Sequence, residues 1–186
     1  MAGTAVDTDR VVGGSANGAG LFVAPDGSTA PTDADSALDA AFYSPGYLDE
    51  GGPVPSYDPS FVEVPAWQST FPIRRIAGPA TFTVAFTMKE VSPESLSLYF
   101  GVAKPTETTG EFSVDGAAVI TPPTLSVVVQ GQDGTSYARL YIARATLQAS
   151  GAITWNRADA VSFPCTLSML DNGVSAPFSF FSKQAT

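Results

Sequence analysis

The sequence LFVAPDGSTAPTDADSALDAAFYSPGYLDEGG, residues 21–52, contains the signals from which the fold is best predicted. Its apolar start, residues 21–24, predicts a strand, and Asp26-Gly27 predicts a turn because glycine accepts positive φ. Thr32 is a candidate N-cap for a short helix with acidic residues in its first turn and apolar residues at 38, 41 and 42 on one side. A second extended segment is predicted from Gly46.

The composition is that of a globular protein rich in β-structure. The chain has 186 residues, of which 44% are hydrophobic and 15% charged, with 17 glycines and 15 prolines. These values suit one domain with many turns. We predict a flexible amino-terminal arm at 1–18 and a single domain at 19–186. The amino terminus lacks the features of a signal peptide, and no apolar run predicts membrane insertion.

The net charge of -9 is concentrated in the first third of the chain. Residues 1–65 contain one basic side chain, Arg10, against ten acids: Asp7, Asp9, Asp26, Asp33, Asp35, Asp39, Asp49, Glu50, Asp58 and Glu63. Two interpretations stay open, a solvated acidic surface that aids solubility, or an acidic face that meets a basic one on a neighbour or lines a channel. Sequence-specific nucleic-acid binding is disfavoured, since it requires a basic surface.

Residues 51–72 combine dense prolines with apolar side chains. The prolines predict an extended loop without regular pairing, at positions Pro53, Pro55, Pro59, Pro65 and Pro72. The interleaved apolar residues are Val54, Tyr57, Phe61, Val62, Val64 and Trp67. A long loop with this much apolar surface either docks on a partner or folds back onto its own core. Arg74 and Arg75 follow as an adjacent basic pair, which we expect to meet the acidic region of a neighbouring subunit.

Downstream, alternation and turn signals predict a mainly β fold. In residues 81–88, Phe82, Val84, Phe86 and Met88 share one face and predict a core strand. Ser92-Pro93 predicts a helix start, with Leu96, Tyr99 and Phe100 buried and Gly101 at the end. Further strands are predicted at 112–120, 124–130, 137–147, 163–170 and 178–181, with a hairpin turn at 132–135. The pattern indicates an antiparallel β-sandwich or barrel with one or two short helices.

The sequence gives little support to an enzyme. It has no histidine and a single cysteine, Cys165, which we interpret as a small buried hydrophobe. No phosphate-binding or dinucleotide motif is present, and the acids at 33–39 suit helix capping better than calcium. Trp67 and Trp155 fit packing better than ligand stacking. We predict no catalytic residue, no metal and no cofactor.

The order of these segments resembles one family. The run 21–52, then Ala66-Trp67-Gln68, the strand at 81–90 and the segment 92–101 follow one another as in the major tail tube proteins of long-tailed, non-contractile bacteriophages, most closely those of actinobacterial phages. The resemblance implies a structural virion protein of the tail, made in the host cytoplasm. It implies stacked, typically hexameric rings whose lumen conducts genomic DNA. The implied partners are further copies of the chain and the tape-measure, tail terminator and distal tail proteins.

The resemblance also assigns roles to particular segments. The terminal arm and the 51–72 loop are expected to reach the next ring, with inter-ring contacts at Val54, Tyr57, Phe61, Trp67, Arg74 and Arg75. Candidates for a lumen-facing wall are Glu111, Asp115 and Asp133. Two alternatives remain: a monomeric immunoglobulin-like or carbohydrate-binding β-sandwich module, and an inner tube subunit of a contractile tail.

Overall fold

Antiparallel strands form almost all of the regular structure. The computed structural model describes residues 20–115, 122–173 and 176–184. Within them lie seven strands and one helix, in the order β1 (Gly20–Pro25), β2 (Val54–Ala66), β3 (Ser69–Met88), α1 (Pro93–Phe100), β4 (Thr124–Asp133), β5 (Ser136–Ser150), β6 (Phe163–Met169) and β7 (Phe178–Lys183). This confirms the predicted mainly β, antiparallel fold, with one short helix.

The strands form a single open sheet. Its order is β1-β4-β5-β6-β3-β2, and β7 pairs with β5 off this path. β6 and β7 pair with different halves of β5: β7 pairs with residues 137–142 of β5 and β6 with residues 145–150. Strands β4 and β5 meet in a hairpin with the two-residue turn Gly134-Thr135, where Gly134 has a φ of 58°. The predicted turn at 132–135 is therefore confirmed.

The core lies on one face of the sheet. Phe82, Val84, Phe86 and Met88 of β3 are all buried, as their alternation predicts. They pack with apolar side chains of β1, β4, β5, β6 and α1, namely Leu21, Val23, Leu98, Leu125, Val127, Leu140, Ile142, Phe163, Cys165 and Leu167. The core therefore draws on every strand except β2 and β7.

Helix α1 begins and ends where the sequence predicts. The Ser92 hydroxyl accepts a hydrogen bond from the Ser95 amide, the Ser95 hydroxyl accepts one from the Ser92 amide, and Gly101 ends the helix with a φ of 64°. The predicted buried stripe is wrong in one respect. Leu98 is the fully buried apolar residue of the helix, while the predicted Leu96, Tyr99 and Phe100 are half-buried.

The helix predicted from Thr32 does not form. Asp33 Oδ1 accepts hydrogen bonds from the amides of Asp35 and Ser36, at 3.1 and 2.7 Å, and so closes an isolated turn. The backbone carbonyls of Asp33 and Ser36 accept hydrogen bonds from Arg139 on β5, both at 2.9 Å. These carbonyls are occupied by a distant side chain instead of a following amide, and short polar side chains compete with helix in this way.

Arg139 fixes this irregular segment to the second face of the sheet. Its side chain is 2% exposed, and its Nε and Nη2 atoms donate to Gln130 Oε1 at 3.0 and 2.8 Å. On the same face, the buried Val128 and Tyr141 lie opposite each other on β4 and β5. Burial lowers the pKa of Arg139, and the carboxylate of Asp33 opposes that effect. The segment after β1 thus covers the sheet face that the core does not use.

The remaining expectations have mixed outcomes. The strands predicted at 21–24, 124–130, 137–147, 163–170 and 178–181 are confirmed within β1, β4, β5, β6 and β7. No strand forms at 112–115. Residues 116–120 and the predicted amino-terminal arm at 1–18 lie outside the described residues. Across the described ranges, no helix has the length and apolar character that a membrane crossing requires.

Replacement of Arg139 should destabilise the fold strongly. We expect Arg139→Met to lower the free energy of unfolding by about 3 kcal/mol, because two backbone carbonyls and one amide oxygen lose their donors in a buried place. Urea denaturation measures this change. The exposed Arg157 supplies the control, since Arg157→Met should change stability by no more than about 0.5 kcal/mol. Equal effects of the two substitutions would contradict the role of Arg139.

Cys165 should be unreactive in the folded protein. Its side chain is buried opposite Phe86, and burial raises the pKa of the thiol from an ordinary 9.0 to about 12. We expect maleimide labelling at pH 8 only after unfolding in urea, whereas an added surface cysteine, Asn156→Cys, labels at once. Because the folded state favours the neutral thiol, its stabilising contribution is present below pH 9.0 and is lost as the pH rises toward 12. Fast labelling of folded Cys165 would contradict its burial.

Candidate assembly interface

Strands β2 and β3 extend well beyond the rest of the sheet as a two-stranded hairpin. β3 pairs with β6 only through residues 83–88, so its earlier residues pair with β2 alone. We call residues 58–81 the arm; none of its side chains is buried. The arm ends at a two-residue turn, Trp67-Gln68. The segment predicted as an unpaired loop is therefore a paired hairpin, and this part of the prediction is wrong.

The prolines of β2 are compatible with pairing because β2 is an edge strand. Its one neighbour among the described strands is β3, and Pro55, Pro59 and Pro65 are spaced along it by even numbers of residues. A proline within an edge strand places its nitrogen on the unpaired side, where no hydrogen bond to the neighbour is lost. The outer edge of β2 thus lacks several amide donors. The prolines do not prevent the hairpin; they make its outer edge a poor template for another strand.

The arm carries apolar side chains without an apolar core. Its large exposed apolar residues are Phe61, Val62, Trp67, Phe71, Ile73 and Ile76, and Trp67 at the turn is 99% exposed. The register places them on both faces: Phe61 lies opposite Ala77, and Val62 lies opposite Ile76. A solvated hairpin normally has a polar face, so both faces of this one are suited to contact with a partner.

A bulge divides the arm from the body of the sheet. The register of β2 and β3 shifts between Pro59 and Phe61, opposite Gly78, and a Cβ at Gly78 would collide with the Ser60 hydroxyl. That hydroxyl donates to the carbonyl of Pro79 at 2.6 Å. A bulge bends a hairpin and increases its twist, so this point sets the direction in which the arm leaves the domain.

The predicted contact residues separate into two groups. Val54 and Tyr57 lie at the foot of the hairpin, and the Tyr57 ring is 6.1 Å from that of buried Phe82. Phe61, Trp67, Arg74 and Arg75 lie on the arm itself and are exposed. Phe71, Ile73 and Ile76 of the arm were not predicted as contact residues. The sequence indicates them through the apolar residues upstream of residue 81, which extend the strand predicted at 81–88.

The two adjacent arginines are not equivalent. Arg75 Nη2 lies 2.6 Å from Glu63 Oε1 on the opposite strand of the arm. Arg74 lies opposite Val64 and forms no ion pair with any residue that the structure describes. The Arg75–Glu63 pair is largely exposed and contributes little to stability. Arg74 is thus the arginine whose charge is available to a partner.

Five of the eight acids that the structure describes at 20–65 are paired with a basic group within the subunit. Each of the five lies within 4.0 Å of its partner: Asp26 with Arg144, Asp33 with Arg139, Asp35 with Lys183, Asp49 with Lys89, and Glu63 with Arg75. Hydrogen bonds from Lys89 to Asp159 and Asp49 raise the pKa of its ammonium group, and the bond to Lys89 lowers the pKa of Asp159. Acids of the first third of the chain are thus paired largely with bases from later parts of it.

The three predicted lumen residues occupy two places. Glu111 and Asp115 lie in the irregular segment after α1, where Glu111 forms an isolated bridge with Thr108. Asp133 ends β4 at the hairpin turn. All three side chains are exposed. Their relation to a lumen stays a prediction.

The described residues contain no group of three or more His, Cys, Asp or Glu side chains arranged to hold a metal ion. What the fold presents to a partner is instead a long apolar hairpin and an open sheet. A family model described as phage tail tube protein matches residues 4–186, almost the whole chain. The chain belongs to the phage tail tube protein family. No curated protein sequence matches it significantly.

Membership of the tail tube family gives the arm its context. A tail tube protein is a structural component of the virion tail that assembles with copies of itself, and it is not an enzyme. This confirms the resemblance drawn from the order of the sequence segments. A subunit that must contact several neighbours needs apolar surface outside its own core. In this subunit the arm carries the more exposed of the two tryptophans, Trp67, at 99%.

Removal of the arm should leave the domain folded. We expect replacement of residues 59–80 by Asn-Gly, between the directly opposed Asp58 and Thr81, to change the free energy of unfolding by no more than about 1 kcal/mol. The physical reason is that no buried side chain is removed. Urea denaturation and circular dichroism measure the outcome. The core variant Phe86→Ala, which should lose about 3–5 kcal/mol, is the comparison; an equally large loss in the shortened protein would show that the arm belongs to the core.

Proposed function

We propose that this tail tube protein forms stacked, hexameric rings whose lumen conducts genomic DNA from the capsid into the host cell. The observation that carries the proposal is the arm, which extends from the domain with apolar side chains on both faces. Such a surface is stable in water only when another molecule covers it. In a stack, the neighbouring ring supplies that cover, as the resemblance to long, non-contractile tails implies.

Ring closure follows from the edges of the open sheet. β7 has one strand neighbour among the described strands, β5, and its Phe180 side chain is 65% exposed. β1 is also an edge strand, with only an isolated bridge from Tyr43 at Val23 on its outer side. An unpaired edge is completed when another chain adds a strand. A head-to-tail contact between two different edges closes into a ring when its rotation allows.

The charge of the subunit suits a passive conduit for DNA. Six of the eight basic residues that the structure describes lie within ion-pair distance of a carboxylate: Arg75, Lys89, Lys104, Arg139, Arg144 and Lys183. Phosphate binding depends on basic groups that are free to replace counterions. A wall with few free cations and a net charge of -9 would not retain the DNA. Glu111, Asp115 and Asp133 remain our candidates for that wall.

The same proposal names the partners of the tube. We infer contacts with a tape-measure protein inside the growing tube, a terminator ring at one end and a distal tail protein at the other. Assembly takes place in the host cytoplasm. Val54, Tyr57, Phe61, Trp67, Arg74 and Arg75 are the proposed inter-ring contacts, of which the arm supplies the last four.

Electron microscopy at increasing protein concentration tests the proposal. We expect the parent protein to form rings and then tubes, because many moderate contacts act together in a repeating assembly. The protein with residues 59–80 replaced by Asn-Gly should form no tubes at any concentration at which the parent does. Particles that stay monomeric at every concentration, by microscopy and by light scattering, would contradict the proposal.

A further inference from the structure

A groove lies at the foot of the arm. It has a volume of about 950 Å³ and is enclosed by the segment 44–53, the start of β1 and the end of β4. Glycines make up much of its lining, and a Cβ added at Gly20 or Gly52 would meet nothing within 4 Å. Both of these glycines have positive φ, 148° and 62°. The positive φ at these positions therefore favours glycine, which has no side chain to fill the groove.

The groove combines apolar walls with acidic side chains. Val129 supplies partly exposed apolar surface, and the Tyr47 side chain is 80% exposed. Glu90 is fixed by a hydrogen bond that its Oε2 accepts from the Tyr47 amide, at 3.1 Å. Glu50 is exposed and forms no ion pair with a described residue. An aromatic side chain next to a basic group is the ligand that these walls would accommodate.

The tip of the arm has this chemistry. Trp67 is 99% exposed, so no described residue of its own subunit covers it, and Arg74 on the same arm has no ion-pair partner in the same part of the chain. A subunit cannot fill its own groove. Pro53, in the groove, directly precedes β2, and the 13 residues of β2 separate it from the tip by about 43 Å of extended strand.

We propose that the Trp67-Gln68 tip of one subunit seats in the groove of a second copy of the chain, with Arg74 facing Glu50. The inference rests on the proposed stacking and identifies the surface that receives the arm. Groove and tip lie at opposite ends of one hairpin, so the contact is head-to-tail and repeats by translation along the arm. Strand addition to the arm is disfavoured, because Pro55, Pro59 and Pro65 remove donors from its outer edge.

Substitutions on both sides of the contact test the proposal. Trp67→Ala removes the inserted side chain, and Gly51→Phe fills the groove at a glycine whose added Cβ meets only Asp49 Oδ2, at 3.9 Å. Each should raise the protein concentration at which tubes first appear by about tenfold or more, since a buried tryptophan commonly dominates a contact. The matched controls are Trp155→Ala, a second exposed tryptophan, and Ala158→Phe, an exposed site outside the groove lining. Both should assemble as the parent does.

Cross-linking identifies the groove directly. In a Cys165→Ala background, copies that carry Gln68→Cys are mixed with copies that carry Glu50→Cys and treated with a short bis-maleimide. We expect a cross-linked dimer with this pair and none when Asn156→Cys replaces Glu50→Cys. The charge swap gives a second measure: Arg74→Glu should impair stacking, and Glu50→Arg in the same chain should restore it.

The outcomes separate this inference from the proposed function. Tubes that form without the cross-link, or that form equally well with Trp67→Ala, overturn the groove while leaving stacking intact. Absence of tubes in the parent protein overturns both. A cross-link that is lost when Gly51→Phe is added to the Glu50→Cys copy supports the groove as the receiving site.

Discussion

Among the described strands, β3 pairs with β6 over its last residues and with β2 alone before them, and this asymmetry organises the molecule. Residues 83–85 pair with both β2 and β6, and residues 86–88 pair with β6 and include the core side chains of Phe86 and Met88. Residues 69–82 have β2 as their only strand neighbour. One continuous strand therefore belongs to a buried sheet at one end and to an exposed hairpin at the other. Because the sheet is rigid, it fixes the direction in which the arm points. A flexible loop would leave that direction undefined.

The charged side chains of the domain also divide into two groups, those paired within the subunit and those available to partners. Acids from the first part of the chain pair with bases from later parts, for example Asp26 with Arg144 and Asp49 with Lys89. Single exposed pairs contribute little, but they join the irregular segment 26–53 to the sheet at several points. Arg139 adds a buried anchor to the same segment. As a result, the charge that is available to partners is smaller and more local than the net charge suggests.

Sequence patterns predicted the parts of the fold that depend on neighbours along the chain. The alternation at 82–88, the Ser92 cap and the turn at 132–135 each depend on local geometry, and each is confirmed. The predicted helix after Thr32 failed, because a side chain far along the sequence, Arg139, takes the carbonyls that a helix would use. The interpretation of the proline-rich segment failed for a related reason. Prolines interrupt a central strand and are tolerated at an edge, and only the strand order shows which applies.

The sequence by itself determined the fold class, the helix after Ser92 and, through the order of its segments, the family to which the chain belongs. The tertiary structure decided that residues 58–81 form a paired arm, that Arg75 is already held by Glu63 while Arg74 is not, and that a groove lies at the foot of the arm. Local propensity and periodicity can be read from adjacent residues. Edge position, cross-strand partners and the shape of a groove depend on residues brought together from distant parts of the chain.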